Sequence, residues 1–490
     1  MNKAKHLLRL TSAAVMAVAL FLASCTPTPE NAKKVGRLPD MYPDYTNITI
    51  PCNIAPLNFL LRDECDAVEM KASWAGKTLC VNSRGNEVVM DEDEWKEMLT
   101  QAKGKKVDVT VTTLHDGQWT EYQTFQWEVS EDVVDPYITY RLIEPDYEIY
   151  HNLSLRERCV ENFDERAICD HSVVGDRCMN CHTYGNQDPN LSMLYVRGEG
   201  GGAILNRNGQ LAKLNIKTPA MTGGSVYFGF SPSGRHITFS TNNIIPAFHA
   251  KPSKRLEVFD STSDVYVANL ETNTVIQSPL LADSTTFETF PTFSPDGKYV
   301  YFCTAPKVSL PSDLKEMRYS LCRISFDEST GKLGNEVDTI FSASREKLSV
   351  CHPRISPDGK FIVYSVANYG TFPIWHPEAD LQMMELATGR VDSMAVANSN
   401  KSDTYHSWSS NSRWLVFASK RDDGLYGKPY FCHIDKNGKV SKPFVLPQRD
   451  PKFYDNCLKS FNAPEIGKGR LPFDAFDVKQ TVDGPAVDFK

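Results

Sequence analysis

The chain has 490 residues, 41% of them hydrophobic, with 53 Lys and Arg against 61 Asp and Glu for a net charge of −8. That is apolar material for two or three folded domains, and the acidic balance excludes a nucleic-acid protein, whose affinity comes from neutralised phosphates. Thirteen cysteines make the compartment the first question.

The N-terminus answers it. Lys3, Lys5 and Arg9 precede an uncharged run from Ser12 to Ser24, too short for the roughly 20 residues a spanning helix needs, and the pattern reads as a secretory signal over residues 1–24. Its removal takes three basic and no acidic residues, which moves the net charge to −11. The run ends in Leu22-Ala23-Ser24-Cys25, which resembles the lipobox of bacterial lipoproteins. That resemblance implies lipidation of Cys25 and a protein held to a membrane of the cell envelope, facing the periplasm or the exterior. Residues 25–44 then form a polar, Pro-containing tether. In an oxidising compartment some of the remaining cysteines are expected to pair, although several lie in apolar runs that suit buried thiols.

Residues 45–132 read as a β-sandwich-like domain. The stretches "YTNITIPCNIAPLNFLL", "VEMKASWAGKTLCVN" and "KVDVTVTTLHDGQWTEYQTFQWEVS" are strand-like. Asp116-Gly117 marks a hairpin, and "DEDEWKEMLTQA" reads as a short helix opened by acidic residues. Residues 133–189 read as a helical or looped connector, with a helix predicted over 154–168. The connector ends in Cys178-Met179-Asn180-Cys181-His182, a C-x-x-C-H motif.

Residues 190–490 read as one domain, and from about Gly223 onward the chain repeats itself. "VYFGFSPSGRHITFSTN", "TFPTFSPDGKYVYFCTA", "CHPRISPDGKFIVYSVAN" and "YHSWSSNSRWLVFASKRDDG" align on Ser231, Ser294, Ser356 and Ser409, spaced 63, 62 and 53 residues apart. Each is an apolar run, a Ser-Pro-Asp/Ser-Gly turn and an alternating strand; the fourth has lost both Pro and Gly. Short strands in repeated units predict an all-β fold ending in a β-propeller, of six blades with five as the alternative. The repeats resemble those of the TolB-like (WD40-like) propeller family, which implies a surface that binds proteins.

With 13 Cys and 11 His in the chain, about 0.008 C-x-x-C-H motifs are expected by chance. In an exported chain the leading reading is one covalent haem c, with Cys178 and Cys181 as thioethers and His182 as the proximal iron ligand. The arrangement resembles exported propeller lipoproteins described as cytochrome c-related. Met193, Met221, His171 and His249 are the candidates for the second axial ligand, with Met193 preferred for its position in the strand that follows. The Gly198–Gly202 run reads either as backbone that lets a flat ligand approach or as a plain turn. Zinc held by Cys159, Cys169, Cys178 and Cys181, with His171 and His182 nearby, is the alternative. A redox dithiol is a third, without the βαβ flanks it needs.

Glu288, His352, Asp403 and His406 fall near the entry of the innermost propeller strands, "FPIWHPEAD" adds His376, and together they either bind a ligand or form a solvated polar mouth. Asp264 and Asp380 share one repeat register and read as structural. The sequence supports two main functions, an envelope electron carrier docking a redox partner through its haem, or a TolB-like binding and scaffold lipoprotein with a structural haem or zinc; an enzyme acting at the propeller mouth is a third, weaker reading. No nucleophile–base spacing points to catalysis.

Overall fold

The computed structural model describes residues 28–145, 152–219, 221–251 and 254–490, and the chain is almost all β. Cys25 and the leader lie outside the described residues. The described chain divides into two compact units: 28–47, 56–129 and 448–455 form one, and 48–55, 130–447 and 456–490 the other.

In the smaller unit the long strand Lys106–His115 pairs on one side with Ala67–Trp74 and on the other with Gln118–Glu121 and Phe125–Ser130. The hairpin at Asp116-Gly117 puts both residues at positive φ, 48° and 77°, as a two-residue turn with the strand twist requires. Met41–Tyr42, Phe59–Leu61 and Glu87–Val88 make a second, three-stranded sheet. The predicted helix is present at Glu92–Ala102. Asp91 caps it by accepting from the N–H groups of Asp93 and Glu94, which offsets two unpaired donors of its first turn. It buries Trp95, Met98, Leu99 and Ala102, and Trp95 meets Trp127 edge-on at 5.5 Å between ring centroids.

The larger unit is a propeller-type array of four-stranded antiparallel sheets, six among the described residues. In chain order after the first, sheets 2 to 6 open with Met179–Gly185, Ser225–Phe230, Thr286–Phe293, Ser349–Ile355 and Asp403–Trp408. Sheet 1 draws from both ends of the unit: Tyr137–Ile143, Ser154–Cys159 and Glu165–Asp170 are completed by Ser460–Gly467 on its inner edge. Each of these inner strands touches that of the next sheet, and Ser460–Gly467 touches both Asp403–Trp408 and Met179–Gly185. Sheet 2 gains a fifth, parallel strand, Ala486–Asp488, on its outer edge.

Three expectations are corrected here. There is no separate connector: the propeller array begins at Tyr137, well before residue 190. The helix predicted over 154–168 is instead the strand pair Ser154–Cys159 and Glu165–Asp170. Its charged residues carry helix propensity, but a strand lets Leu155, Ile168 and Cys169 enter a core with Leu194, Val196 and Phe473, and burial of this kind overrides propensity. The disulfides expected among the cysteines are not seen either: the eleven cysteines whose side chains are described are all free thiols.

The repeated serines are the hinge of every turn. Ser231, Ser294, Ser356 and Ser409 each accept, through Oγ, from the N–H five residues on (2.9–3.1 Å). Ser294, Ser356 and Ser409 also donate to Asp296, Asp358 and Asn411 at 2.6–2.7 Å. In the copy that lost Pro and Gly, Ser412 takes the glycine's place at φ 63°, and its N–H still bonds to the Ser409 carbonyl at 3.0 Å. The turn survives because the Ser–Asn hydrogen bonds are retained.

Candidate functional site

Every inner strand carries the same irregularity. The register slips at Asn180/Thr183, Val226/Gly229, Thr289/Thr292, Cys351/Arg354 and Thr404/Ser407. In Ser460–Gly467 it slips beside Ala463. The bulged residues Tyr227, Phe290, His352, Tyr405 and Ala463 all have φ between 48° and 55°. Non-glycine residues rarely adopt that conformation, at about 1–2 kcal/mol each, and its repetition shows that the bulge aims these side chains on purpose. They converge: Phe290 and His352 lie 4.0 Å apart between ring centroids, Tyr227 and Phe290 4.5 Å, and His352 and Tyr405 4.7 Å.

Two residues beyond each bulge stand Thr183, Gly229, Thr292, Arg354, Ser407 and Glu465, one from each of the six sheets. All six line a cavity of about 320 Å³ at the turn end of the inner strands, within the size range of small-molecule pockets. Glu465 accepts from the Thr183 hydroxyl at 2.9 Å and the Tyr184 N–H at 3.1 Å. Burial raises its pKa, against the pull of Arg354 and these donors. Among the described residues the Arg354 side chain makes no hydrogen bond or ion pair. Lys468 and Trp408 add to the wall.

At the opposite end the strands His236–Lys251 and Lys254–Asn269 extend far beyond their sheet. Asp260 accepts from Asn242 at 2.9 Å and from the Tyr319 hydroxyl at 3.3 Å. Glu257 meets His376 Nε2 at 2.9 Å and the Tyr369 hydroxyl at 3.1 Å, and Glu378 lies 3.2 Å from His376 Nδ1. The long hairpin is thereby fastened to the loops of the fourth and fifth sheets.

The C-x-x-C-H segment sits elsewhere than expected. Met179–Gly185 is extended, Met179 pairs with Val196 and Thr183 with Met193, and the Cys178 carbonyl accepts from Arg197 N–H at 2.8 Å. Cys181 and His182 occupy the bulge, as Tyr405 and His406 do in the sixth sheet. The side chains of Cys181 and His249 lie outside the described residues. Cys178 packs against the core of Cys169, Met179 and Val196. Burial pushes the His182 pKa down to about 3, and Arg141 adds to the shift. Among the described residues neither ring nitrogen makes a hydrogen bond of good geometry, although the Thr139 backbone pulls the other way on the ring's pKa.

Covalent haem therefore fails a fit test. The motif forms no helical turn that would present two sulfurs to one porphyrin edge. His182 and Met193 line the same cavity, whose volume is about 20 Å³, the size of a single water. Met193 stands on the neighbouring strand, so a porphyrin between the two would have to part the ladder. Met221 is core, and His171 faces Asp176 at 3.8 Å. Among the described residues, which leave out the Cys181 side chain, no group of three or more His, Cys, Asp or Glu is arranged to hold zinc. Gly198–Gly202 is the turn before the strand Gly202–Arg207, folded beside the Arg177 side chain.

The other expected site residues do not assemble. Glu288 is buried with a pKa of about 7, raised by burial, and Thr304 donates to it at 3.1 Å. Asp403 is paired with Arg421 at 3.0 Å. His406 Nε2 contacts the Val363 carbonyl at 2.8 Å, and His352 belongs to the aromatic cluster. Sequence reasoning missed Arg354, Ser407, Thr292, Gly229, Thr183 and Glu465. A signal existed: the first four stand two residues before the aligned serines. Gly185 and Gly467 extend the alignment to the other two.

No family model and no curated protein matches this chain. Solved structures similar to it include an oligogalacturonate lyase in complex with manganese (12% identity, 63% of this chain and 72% of that one, TM-score 0.34). A prolyl endopeptidase matches at 12% identity over 70% of this chain and 41% of that one (TM-score 0.36). A periplasmic gluconolactonase of Pseudomonas aeruginosa matches at 14% over 54% and 81% (TM-score 0.27).

Proposed function

We propose that this chain is a non-catalytic, TolB-like binding lipoprotein of the cell envelope, tethered through lipid on Cys25, that holds a polar ligand in the central pocket. One observation carries the reading: six different sheets each deliver one residue, at the same position after the same bulge, into a single cavity. Cavities assembled from many elements fix geometry well, because no residue can move without its sheet. The lining has donors, acceptors and the rings of Phe230, Phe293 and Trp408 but no His or Cys to activate a nucleophile, so binding is the activity it supports.

The electron-carrier reading, with haem c on Cys178, Cys181 and His182, is set aside on the fit test above, and with it a redox partner. The reading is tested with the full chain, matured alongside the c-type haem machinery. A panel of polar small molecules is expected to raise the melting temperature of the wild type and not of Thr292→Trp, which fills the pocket. A pyridine haemochrome that survives denaturation and disappears in Cys178→Ala/Cys181→Ala would restore the haem protein instead.

A further inference from the structure

We propose that the central pocket recognises its ligand by a carboxylate, held by Arg354 between the hydroxyls of Thr292 and Ser407. The inference rests on the pocket being a binding site and adds the chemistry of what it binds. These three residues come from consecutive sheets, the fourth, fifth and sixth, at equivalent positions after the bulge, so they form one continuous arc of the wall. Arg354 brings five N–H donors in a planar fork that suits a carboxylate, and among the described residues none is used by a side-chain partner. Ser407 Oγ accepts from Ile466 N–H at 3.2 Å, which leaves its own O–H to donate. Thr292 Oγ1 makes no hydrogen bond among the described residues. The arc is all donor.

The facing wall is the opposite. Glu465 stands on the first sheet, with one oxygen occupied by Thr183 and Tyr184, and its second oxygen is an acceptor for a hydroxyl or amide N–H of the same ligand. Lys468, exposed at the rim, adds a second cation. Two cations against one carboxylate leave the pocket short of one negative charge. A ligand with a carboxylate at one end and a donor at the other satisfies both walls. A sugar acid has that form, and so does the C-terminus of a peptide.

The test uses the full chain and two matched pairs of probes in calorimetric titrations: glucuronate against glucose, and N-acetylglycylglycine against its C-terminal amide. In at least one pair the acid is expected to bind about tenfold or more tightly than its neutral partner, and the pair that responds names the source. Arg354→Gln should weaken the acid about 10- to 100-fold, the loss of a charge-assisted pair, with the melting temperature unchanged, and Arg354→Lys should recover part of it. Lys468→Glu, at an exposed position that cannot disturb folding, should weaken it a few-fold. Equal binding of acid and neutral probes, wild-type binding by Arg354→Gln, or no binding of any acid at millimolar concentration would overturn the proposal. If the neutral probes bind and Thr292→Trp blocks them, the pocket remains a binding site and only the carboxylate is wrong.

Discussion

Sheets 2 and 6 place a histidine at the same point of the same bulge, one in "NCHTYG" and the other in "TYHSWS". Both rings are buried, and burial lowers both pKa values to about 3. They differ in what they touch. His406 has the Val363 carbonyl at 2.8 Å, while neither nitrogen of His182 makes a hydrogen bond of good geometry among the described residues. The same position holds Phe228 in the third sheet and Pro291, Pro353 and Pro464 in three others. A residue that looks like a metal ligand inside a five-residue motif is thus, at the scale of the repeat, one of six fillers of the space behind a bulge. The comparison teaches that a motif has to be weighed against the period it sits in.

The comparison breaks most visibly if the motif strand is not part of the propeller array. A chain beginning at Leu191 loses the inner strand of sheet 2 and three strands of sheet 1, so it is expected not to fold at all, with no cooperative melt by circular dichroism. A stable truncated chain would return the segment to a separate connector.

Acid titration separates the two histidines less drastically. Each is neutral when buried and free to protonate when unfolded, so the unfolded state binds more protons between pH 6.5 and about 3. Stability is full above 6.5 and is lost as pH falls through that window, at about 1.4 kcal/mol per pH unit for each ring. His406→Phe and His182→Phe should each flatten the slope of unfolding free energy against pH in that window, measured in urea. An unchanged slope in either variant would show that its ring is solvated.

At neutral pH the two variants should part company. His406→Phe strips a partner from the Val363 carbonyl and should lose about 1–2 kcal/mol. His182→Phe copies the residue of the third sheet and removes two poorly paired buried nitrogens, so it should gain up to about 1 kcal/mol. A loss of stability in His182→Phe would mean that the ring has a ligand. The smallest effect is expected from Cys178→Ser, within about 0.5 kcal/mol of wild type, as for a substitution at a half-exposed site away from any network. Chemical denaturation resolves all three.

Much of the fold was legible in residues. The Ser-Pro-Asp-Gly turns announce themselves because a proline and a glycine each serve one fixed dihedral and the serine hydroxyl closes the turn locally. The Asp116-Gly117 hairpin and the Asp91-capped helix were readable for the same reason: the partners lie within a few residues. Met179–Gly185 was not read as a repeat because it lacks the serine and proline that marked the others, and residues 154–168 were misread because charged residues mask a strand whose apolar face is filled from elsewhere.

The sequence by itself determined the all-β class, the repeat and the turns that pace it, since these depend on interactions of short range. Tertiary structure alone decided that residues 137–170 and 460–467 share a sheet, and that Arg354, Glu465 and their four counterparts meet in one pocket. Such meetings join residues 282 positions apart at Thr183 and Glu465 and 330 apart at Tyr137 and Gly467 (467 − 137), and no local dihedral or side-chain preference encodes a contact at that separation; only tertiary packing brings it about.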